Sequence, residues 1–378
     1  MRQIYFDNAA TTFPKPPGVA EAVRSAVERF GGNPGRGGHY FSQNAAAKVF
    51  ETRQLAAKMF SAQPENVVFT QNCTYALNLA IKGVVRPGDR VITSSMEHNS
   101  VARPVYALTK QGVRAEVSGV GKTDGETLEN LKKLMKGDLR CVIFTAASNV
   151  TGRIMPIRET ASLCRERGVC FIVDGAQACG TLPISLEDGM NFLCTAGHKG
   201  LYGPTGTGLL ISDGAYAPST IIEGGTGATS AELEQTGFMP ERLESGTVNT
   251  VGISGLGEGL KYVAQIGVDK IRIYEDELCG LFIDGLKSAQ GARVYRRGEK
   301  FAPIVSFNVE GIPAPALSNA LAAQGYALRG GLHCAVLAHK TLGTLPDGTV
   351  RFSPSVFSSE RDVVSLINYL KKICKTGL

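Results

Sequence analysis

The 378-residue chain reads as an α/β protein: a large domain built on a mainly parallel sheet flanked by helices, joined to a smaller α+β domain. Three observations predict this. Apolar runs at 67–70, 91–94, 141–146, 170–173, 192–195 and 208–211 are short and bounded, as buried strands are. Between several of them, stretches at 45–60, 100–111, 127–135 and 157–167 carry apolar residues at helical spacing. That is the strand–helix–strand order which a parallel sheet with right-handed crossovers requires. Past about Gly259 the texture changes to a long helix through 268–289, short strands near 304–309 and 350–353, and a last helix from Ser359. The expected division is 13–259 for the large domain, with 1–12 and 260–378 forming the small one. Without a repeat, a low-complexity tract or a long linker, the two are expected to pack closely.

An apolar fraction of 43% with 20% charged residues is ordinary globular composition, enough for a full core without staples. The net charge of +6 is thinly spread, and the basic pairs Lys132-Lys133, Arg296-Arg297 and Lys371-Lys372 are isolated, which argues against a nucleic-acid partner. No apolar signal core opens the chain and no segment approaches a membrane span, so a cytoplasmic protein is expected. The cysteines at 73, 141, 164, 170, 179, 194, 279, 334 and 374 include no C-x-x-C pair, so neither a disulfide framework nor a metal site is expected. Cys141, Cys170, Cys179 and Cys194 sit in or beside apolar runs, where the thiol behaves as a small hydrophobe.

Polar clusters follow the strands directly, and in parallel sheets that edge binds ligands. Asp174-Gly175-Ala176-Gln177 follows one strand and Gly197-His198-Lys199 the next. A carboxylate and a lysine on neighbouring strand ends suit pyridoxal 5′-phosphate (PLP), whose ring nitrogen needs an anion and whose aldehyde needs an amine. Either residue alone favours a plain Asp174–Lys199 salt bridge; together with the motifs below, that becomes the lesser reading. Upstream, Gln71-Asn72-Cys73-Thr74 opens a helix, where backbone N–H groups and the Thr74 hydroxyl make an anion site, or where Thr74 serves only as a cap. His98 in Glu97-His98-Asn99 either lies flat on an aromatic ring or is a hydrogen-bonded loop residue. Asn149 in Ser148-Asn149-Val150-Thr151-Gly152 offers an amide to the same ledge, or simply forms a turn.

Taken in order, Asp7-Asn8-Ala9-Ala10-Thr11-Thr12, Asp174-Gly175-Ala176-Gln177, Gly197-His198-Lys199, Glu244-Ser245-Gly246-Thr247-Val248-Asn249-Thr250 and Arg329-Gly330-Gly331-Leu332-His333-Cys334-Ala335 resemble the cysteine desulfurase and selenocysteine lyase family. These are fold-type I PLP enzymes of aminotransferase class V. The resemblance implies that Lys199 bonds to the cofactor aldehyde, Asp174 pairs with its ring nitrogen, Gln177 and Asn149 approach its phenolic oxygen, and His98 stacks on the ring. It implies a phosphate held by Thr74, the Cys73 N–H and His198, with Thr247 reaching in from the second subunit of a homodimer. Arg351 then takes the carboxylate of L-cysteine or L-selenocysteine, with Asn8, Ala9 and Arg329 beside the substrate.

Cys334 sits near Arg329 and His333, a setting that favours thiolate and a nucleophilic role, with an inert loop cysteine as the plain alternative. Only 17 positions separate Cys334 from Arg351, so the chain is closest to the family's short-loop second group. The expected activity is cysteine desulfuration to alanine with a persulfide on Cys334, handed on to an acceptor protein. Selenocysteine lyase, a class V transaminase and a non-catalytic scaffold of the same fold are the other readings. Three features depart from the family pattern: Ala196 before Gly-His-Lys with an extra Gly200 after it, Gly35 within Asn33-Pro34-Gly35-Arg36-Gly37-Gly38-His39, and Ser358-Ser359.

Overall fold

The computed structural model describes residues 2–35, 37–296 and 298–377; Arg36 and Arg297, noted in the sequence, lie outside the described residues. The chain runs through β1 (Ile4–Tyr5), α1 (Pro17–Arg29), α2 (Tyr40–Met59), β2 (Val67–Thr70), α3 (Cys73–Val84), β3 (Arg90–Ser94), α4 (Asn99–Thr109) and β4 (Arg114–Ser118). It continues with α5 (Asp124–Leu134), β5 (Cys141–Thr145), α6 (Ile157–Arg165), β6 (Cys170–Asp174), β7 (Phe192–Ala196) and β8 (Gly208–Ser212). These eight-strand numbers include seven that hydrogen-bond in the order β2-β8-β7-β6-β5-β3-β4.

The central strands are buried on both faces, which is why they read as unbroken apolar runs rather than alternating ones. Alternate residues still go to opposite sides. Val142, Phe144, Phe171, Val173 and Leu193 join a core with α2, α5, α6 and the helix α7 (Thr250–Ile266). Cys141, Ile143, Cys170, Ile172 and Cys194 join a second core with α3 and α4. Each fully buried large side chain contributes about 1.5–3 kcal/mol.

Past α7 come α8 (Val268–Leu286), β9 (Ala292–Val294), β10 (Val305–Val309), α9 (Ala314–Ala323), β11 (Tyr326–Ala327), β12 (Arg329–Gly331), α10 (Val336–Leu342), β13 (Thr349–Phe352) and α11 (Glu360–Thr376). Strands β12-β13-β10-β9 form an antiparallel sheet whose core includes Phe282, Phe307 and Phe352. The chain's start belongs with it, since β1 pairs with β11 and Asp7 bridges to Ser353.

Two elements differ from the sequence reading. Strand β8 runs antiparallel to both neighbours, because it returns from β7 without an intervening helix to carry the chain back across the sheet. The edge strand β4 escapes a search for apolar runs: Arg114, Ala115 and Val117 are exposed, as an edge permits. Helix α7 is rich in glycine because it packs close. Gly252, Gly255, Gly257 and Gly259 are all buried, and a Cβ on Gly259 would come within 2.2 Å of the Leu201 carbonyl oxygen.

Among the described residues, no helix is long and apolar enough to cross a membrane. Nor, among them, does any group of three His, Cys, Asp or Glu side chains stand ready for a metal ion.

Candidate active site

Five strands, β2, β3, β5, β6 and β7, end on one edge of the large sheet, and each hands its next few residues to the same ledge. Asp174 is the last residue of β6 and is 3% exposed. Its Oδ1 accepts the Ala176 N–H at 3.0 Å and the Cys73 thiol at 3.4 Å, while Oδ2 has no donor among the described residues. Lys199 follows β7, and its amine has no hydrogen-bond or ion-pair partner among the described residues; the simple salt bridge to Asp174 does not form. Burial pulls the Lys199 amine below the usual lysine value, with the Asp174 charge opposing.

At the end of β2, Asn72 rather than Thr74 caps α3, taking the Tyr75 N–H on its side chain. That leaves the Thr74 hydroxyl on the exposed first turn, 2.6 Å from Ser100 Oγ. Ser100 in turn touches His98, whose Nδ1 caps α4 by accepting the Ser100 N–H at 3.0 Å. His98 and His198 are both pushed down to about 4, chiefly by burial, so both rings are neutral at pH 7. Gln177 Nε2 donates to the Ala9 carbonyl at 2.9 Å.

Asn149 draws in the second sheet. Its Nδ2 donates to the His333 carbonyl at 2.8 Å, its own carbonyl accepts Arg351 Nη1 at 3.0 Å, and its Oδ1 is buried without a partner. Arg351 is 1% exposed, and its Nη2 pairs with Asp7 at 2.8 Å, leaving Nε unpartnered. Asn8 is spent locally: Nδ2 donates to the Ser353 carbonyl and Oδ1 accepts the Phe13 N–H. Ala9 offers its carbonyl to Gln177 and its N–H to Ser353 Oγ. Thr247 stands apart, exposed and hydrogen-bonded to Asn33 at 3.2 Å.

Cys334 is exposed, whereas Cys73, Cys141, Cys164, Cys170, Cys179, Cys194 and Cys279 are buried free thiols. Its backbone is left-handed, φ +56° after His333 at +48°, a conformation that costs a non-glycine residue about 1–2 kcal/mol and turns the thiol outward. The Cys334 carbonyl accepts the Asn99 N–H at 2.7 Å, tying this loop to the residue after His98. Arg329 Nη2 lies 3.6 Å from Sγ. Of the two basic neighbours expected to favour thiolate, only Arg329 brings positive charge. His333 is buried, its Nε2 faces Thr349, and burial drives its pKa well below the ordinary value.

Sequence reading passed over three contributors. Ser100 joins Thr74 to His98. Glu97, fully buried, accepts the Ser94 hydroxyl and the Thr145 N–H and is pushed up to about 8 by burial. Lys15 donates to Thr12 Oγ1 at 2.7 Å and to the His198 carbonyl at 2.8 Å. Glu97 stood beside His98 in the sequence, but a lone buried acid has no signature there; Ser100 and Lys15 look like any other polar residue.

The donor set suits PLP. Asp174 Oδ2 is open for a ring N–H, and the Asn149 Oδ1 and His198 Nδ1 are buried atoms awaiting partners. Among the described residues the Lys199 amine is uncommitted and the Cys73 and Thr74 N–H groups head α3 without acceptors, where the helix dipole favours a phosphate.

The aminotransferase class-V family matches residues 4–366. A probable cysteine desulfurase of Pyrococcus abyssi is 33% identical over 388 aligned positions, covering 99% of this chain and 94% of that protein. One from Xylella fastidiosa strain Temecula1 is 31% identical, covering 98% and 91%. Among solved structures, the apo cysteine desulfurase of Thermococcus onnurineus NA1 superposes with a TM-score of 0.92 at 32% identity, covering 100% of this chain and 95% of that one. The Escherichia coli cysteine desulfurase CsdA, with an S-sulfonic acid, gives 0.88 at 26%, covering 99% and 95%. With a family match over nearly its whole length and relatives above 30% identity, this chain belongs to the aminotransferase class-V family.

Proposed function

We propose that this protein is a PLP-dependent cysteine desulfurase that moves sulfur from L-cysteine onto Cys334 and releases L-alanine. The observation that carries this is Cys334 itself: an exposed thiol on a left-handed turn, 3.6 Å from the Arg329 guanidinium and tied through its carbonyl to the residue after His98. A transaminase or an inert scaffold of the same fold needs no such group.

Bound PLP supplies an aldehyde for the amino acid's nitrogen and a protonated ring that stores the electron pair left when the Cα proton departs. Lys199, whose amine has no partner among the described residues, would hold that aldehyde at rest and would take and return the Cα proton. Asp174 Oδ2 would accept the ring N–H and keep the ring positive. His98 would lie on the ring, Gln177 and Asn149 would face its phenolic oxygen, and Thr74, the Cys73 N–H and His198 would hold the phosphate. Arg351 grips the substrate carboxylate through its unpartnered Nε and remaining N–H groups, with Asn8, Ala9 and Arg329 lining the approach. Cys334 thiolate forms an S–S bond to the substrate sulfur as the Cβ–S bond breaks; the electron pair stays on carbon, which gains a proton to become the methyl of alanine.

Residues 13–259 act in this reading as the cofactor-binding domain, and 1–12 with 260–378 as the domain carrying Cys334 and Arg351. The separate core around Phe282, Phe307 and Phe352 and the β1–β11 pairing support that division. A cytoplasmic homodimer is proposed in which Thr247 of one copy reaches the phosphate of the other, with the persulfide passed to an acceptor protein. Thr247 is exposed, and Leu233 and Phe238 nearby in the chain are exposed apolar side chains.

The deciding experiment gives PLP-loaded protein L-cysteine or L-selenocysteine and measures sulfide, selenide and alanine beside Cys334→Ala. Sulfide and alanine from cysteine, with one added sulfur on Cys334 by mass and both products lost in the variant, is the expected result. Strong selenide with negligible sulfide moves the assignment to selenocysteine lyase, and no alanine from either substrate overturns both.

A further inference from the structure

Residues 7–15 lie between β1 and α1, outside every helix and strand, yet they are held at both ends. On the small sheet, Asp7 Oδ1 accepts Arg351 Nη2 at 2.8 Å, and the Ser353 carbonyl accepts the Asn8 N–H at 3.2 Å and its Nδ2 at 3.0 Å. On the large sheet, in the lysine loop that follows β7, the His198 carbonyl accepts the Thr12 N–H at 3.1 Å, the Thr11 hydroxyl at 3.0 Å and Lys15 Nζ at 2.8 Å. These donors crowd one oxygen with two lone pairs, on the peptide that joins His198 to Lys199. Lys15 Nζ also donates to Thr12 Oγ1 at 2.7 Å, and among the described residues no carboxylate pairs with it.

Between its ends the segment is braced. Ala10 donates its N–H to the Asp7 carbonyl at 3.0 Å, Phe13 donates its N–H to Asn8 Oδ1 at 3.1 Å, and the Thr11 carbonyl accepts the Tyr5 hydroxyl at 2.9 Å. The Ala9 carbonyl accepts Gln177 Nε2 at 2.9 Å, and Asn8, Ala9 and Thr12 are buried. A buried loop bonded to itself transmits a displacement at one end to the other.

We infer that residues 7–15 form a rigid strap that sets the spacing between Lys199 and Arg351, and that Lys15 is a positioning residue that anchors its large-sheet end. The inference rests on the roles given to Lys199 and Arg351 above. An α-amino acid carries its amine and its carboxylate on one carbon, so the groups that receive them must stand at a fixed separation. The two sheets have separate cores, and the strap is bonded to both. A misplacement of about 1 Å at such a site costs about a hundredfold in rate.

The first test needs no cofactor. Hydrogen–deuterium exchange of the cofactor-free chain is compared between wild type and Lys15→Met, which keeps the side chain's reach and removes its N–H donors. Faster exchange is expected in peptides covering 197–203 and also, across the strap, in those covering 350–355, where Ser353 donates its N–H to the Phe6 carbonyl. Thr11→Val, which removes one donor and no charge, is run beside it and is expected to act on the same two regions by less, so a misfolded Lys15→Met does not decide the matter. Faster exchange confined to 197–203 overturns the strap.

The second test uses PLP-loaded protein and compares L-alanine with ethylamine, the same amine without its carboxylate, by the change each makes in the visible absorbance. Lys15→Met is expected to weaken L-alanine about tenfold and to leave ethylamine within about twofold of wild type, with Lys15→Arg recovering most of the difference. Equal losses for both ligands place the fault at Lys199 alone and overturn the strap. A wild type that responds to neither ligand overturns the roles of Lys199 and Arg351, and the exchange result then decides the strap by itself.

Discussion

Arg351 and Ser100 make the sharpest residue-scale cases. The Arg351 guanidinium is fully buried and already oriented by Asp7 and the Asn149 carbonyl, so in the proposed role its planar fork, not its charge alone, would meet the carboxylate. Arg351→Lys keeps the charge and loses the fork. It is expected to raise KM for cysteine by about 10- to 100-fold with a smaller change in kcat, since a charge-assisted hydrogen bond contributes about 1.5–3 kcal/mol. Ser100 sits between the Thr74 hydroxyl and His98 Nδ1. Ser100→Ala is expected to weaken PLP binding by about fivefold, the value of one ordinary hydrogen bond, read from fluorescence titration of the cofactor-free chain. Lys199, Asp174 and Cys334 could be picked out from their motifs because each brings a chemical function that its neighbours lack. Ser100 could not, for its role exists only where α3 and α4 meet.

At the scale of elements, the lysine loop depends on α7. Gly259 lies against the Leu201 carbonyl and the Gly203 N–H, so the helix seats directly on the backbone that follows Lys199. Gly259→Ala gains helix propensity but drives a methyl into that backbone. A net loss of about 1–3 kcal/mol is expected, seen as a lowered Tm together with slower PLP uptake. The glycine-rich stretch 252–259 is thus a packing device. At the opposite edge of the sheet the arginines serve as helix terminators: Arg140 donates to the Val84 carbonyl at the end of α3, and Arg167 to the Leu163 carbonyl of α6. Their charge offsets the negative helix ends, which accounts for part of a net positive charge that forms no binding stripe.

For the whole molecule, buried ionisable groups set the pH profile of the cofactor-free fold. Glu97 and Glu275 have folded values raised from 4.5 to about 8, so their contribution is fully present below 4.5 and is lost as pH rises toward 8. His98 and His198 have folded values lowered from 6.5 to about 4, with His333 and His339 lowered as well; their contribution is present above 6.5 and is lost as pH falls toward 4. Below 6.5 the four histidines oppose the raised acids, which include Glu244 and Asp276 as well; from 6.5 the loss from the acids continues, opposed toward 8 by the lowered Lys15 and Lys199 amines. Stability is therefore expected to peak near pH 6.5 and decline toward 8, and Glu97→Gln is expected to flatten that decline in urea unfolding; a profile rising from 6.5 to 8 contradicts this account. The sequence by itself determined the alternation of strands and helices, the sheet-edge position of Asp174 and Lys199 and the family, because these rest on local periodicity and on motifs read within a few residues. Only the tertiary structure decided the reversed strand β8, the neutrality of His333, and the meeting of Asn149 with Arg351 across 202 positions. Each of these follows from burial and from contacts between distant segments, and a linear pattern carries neither.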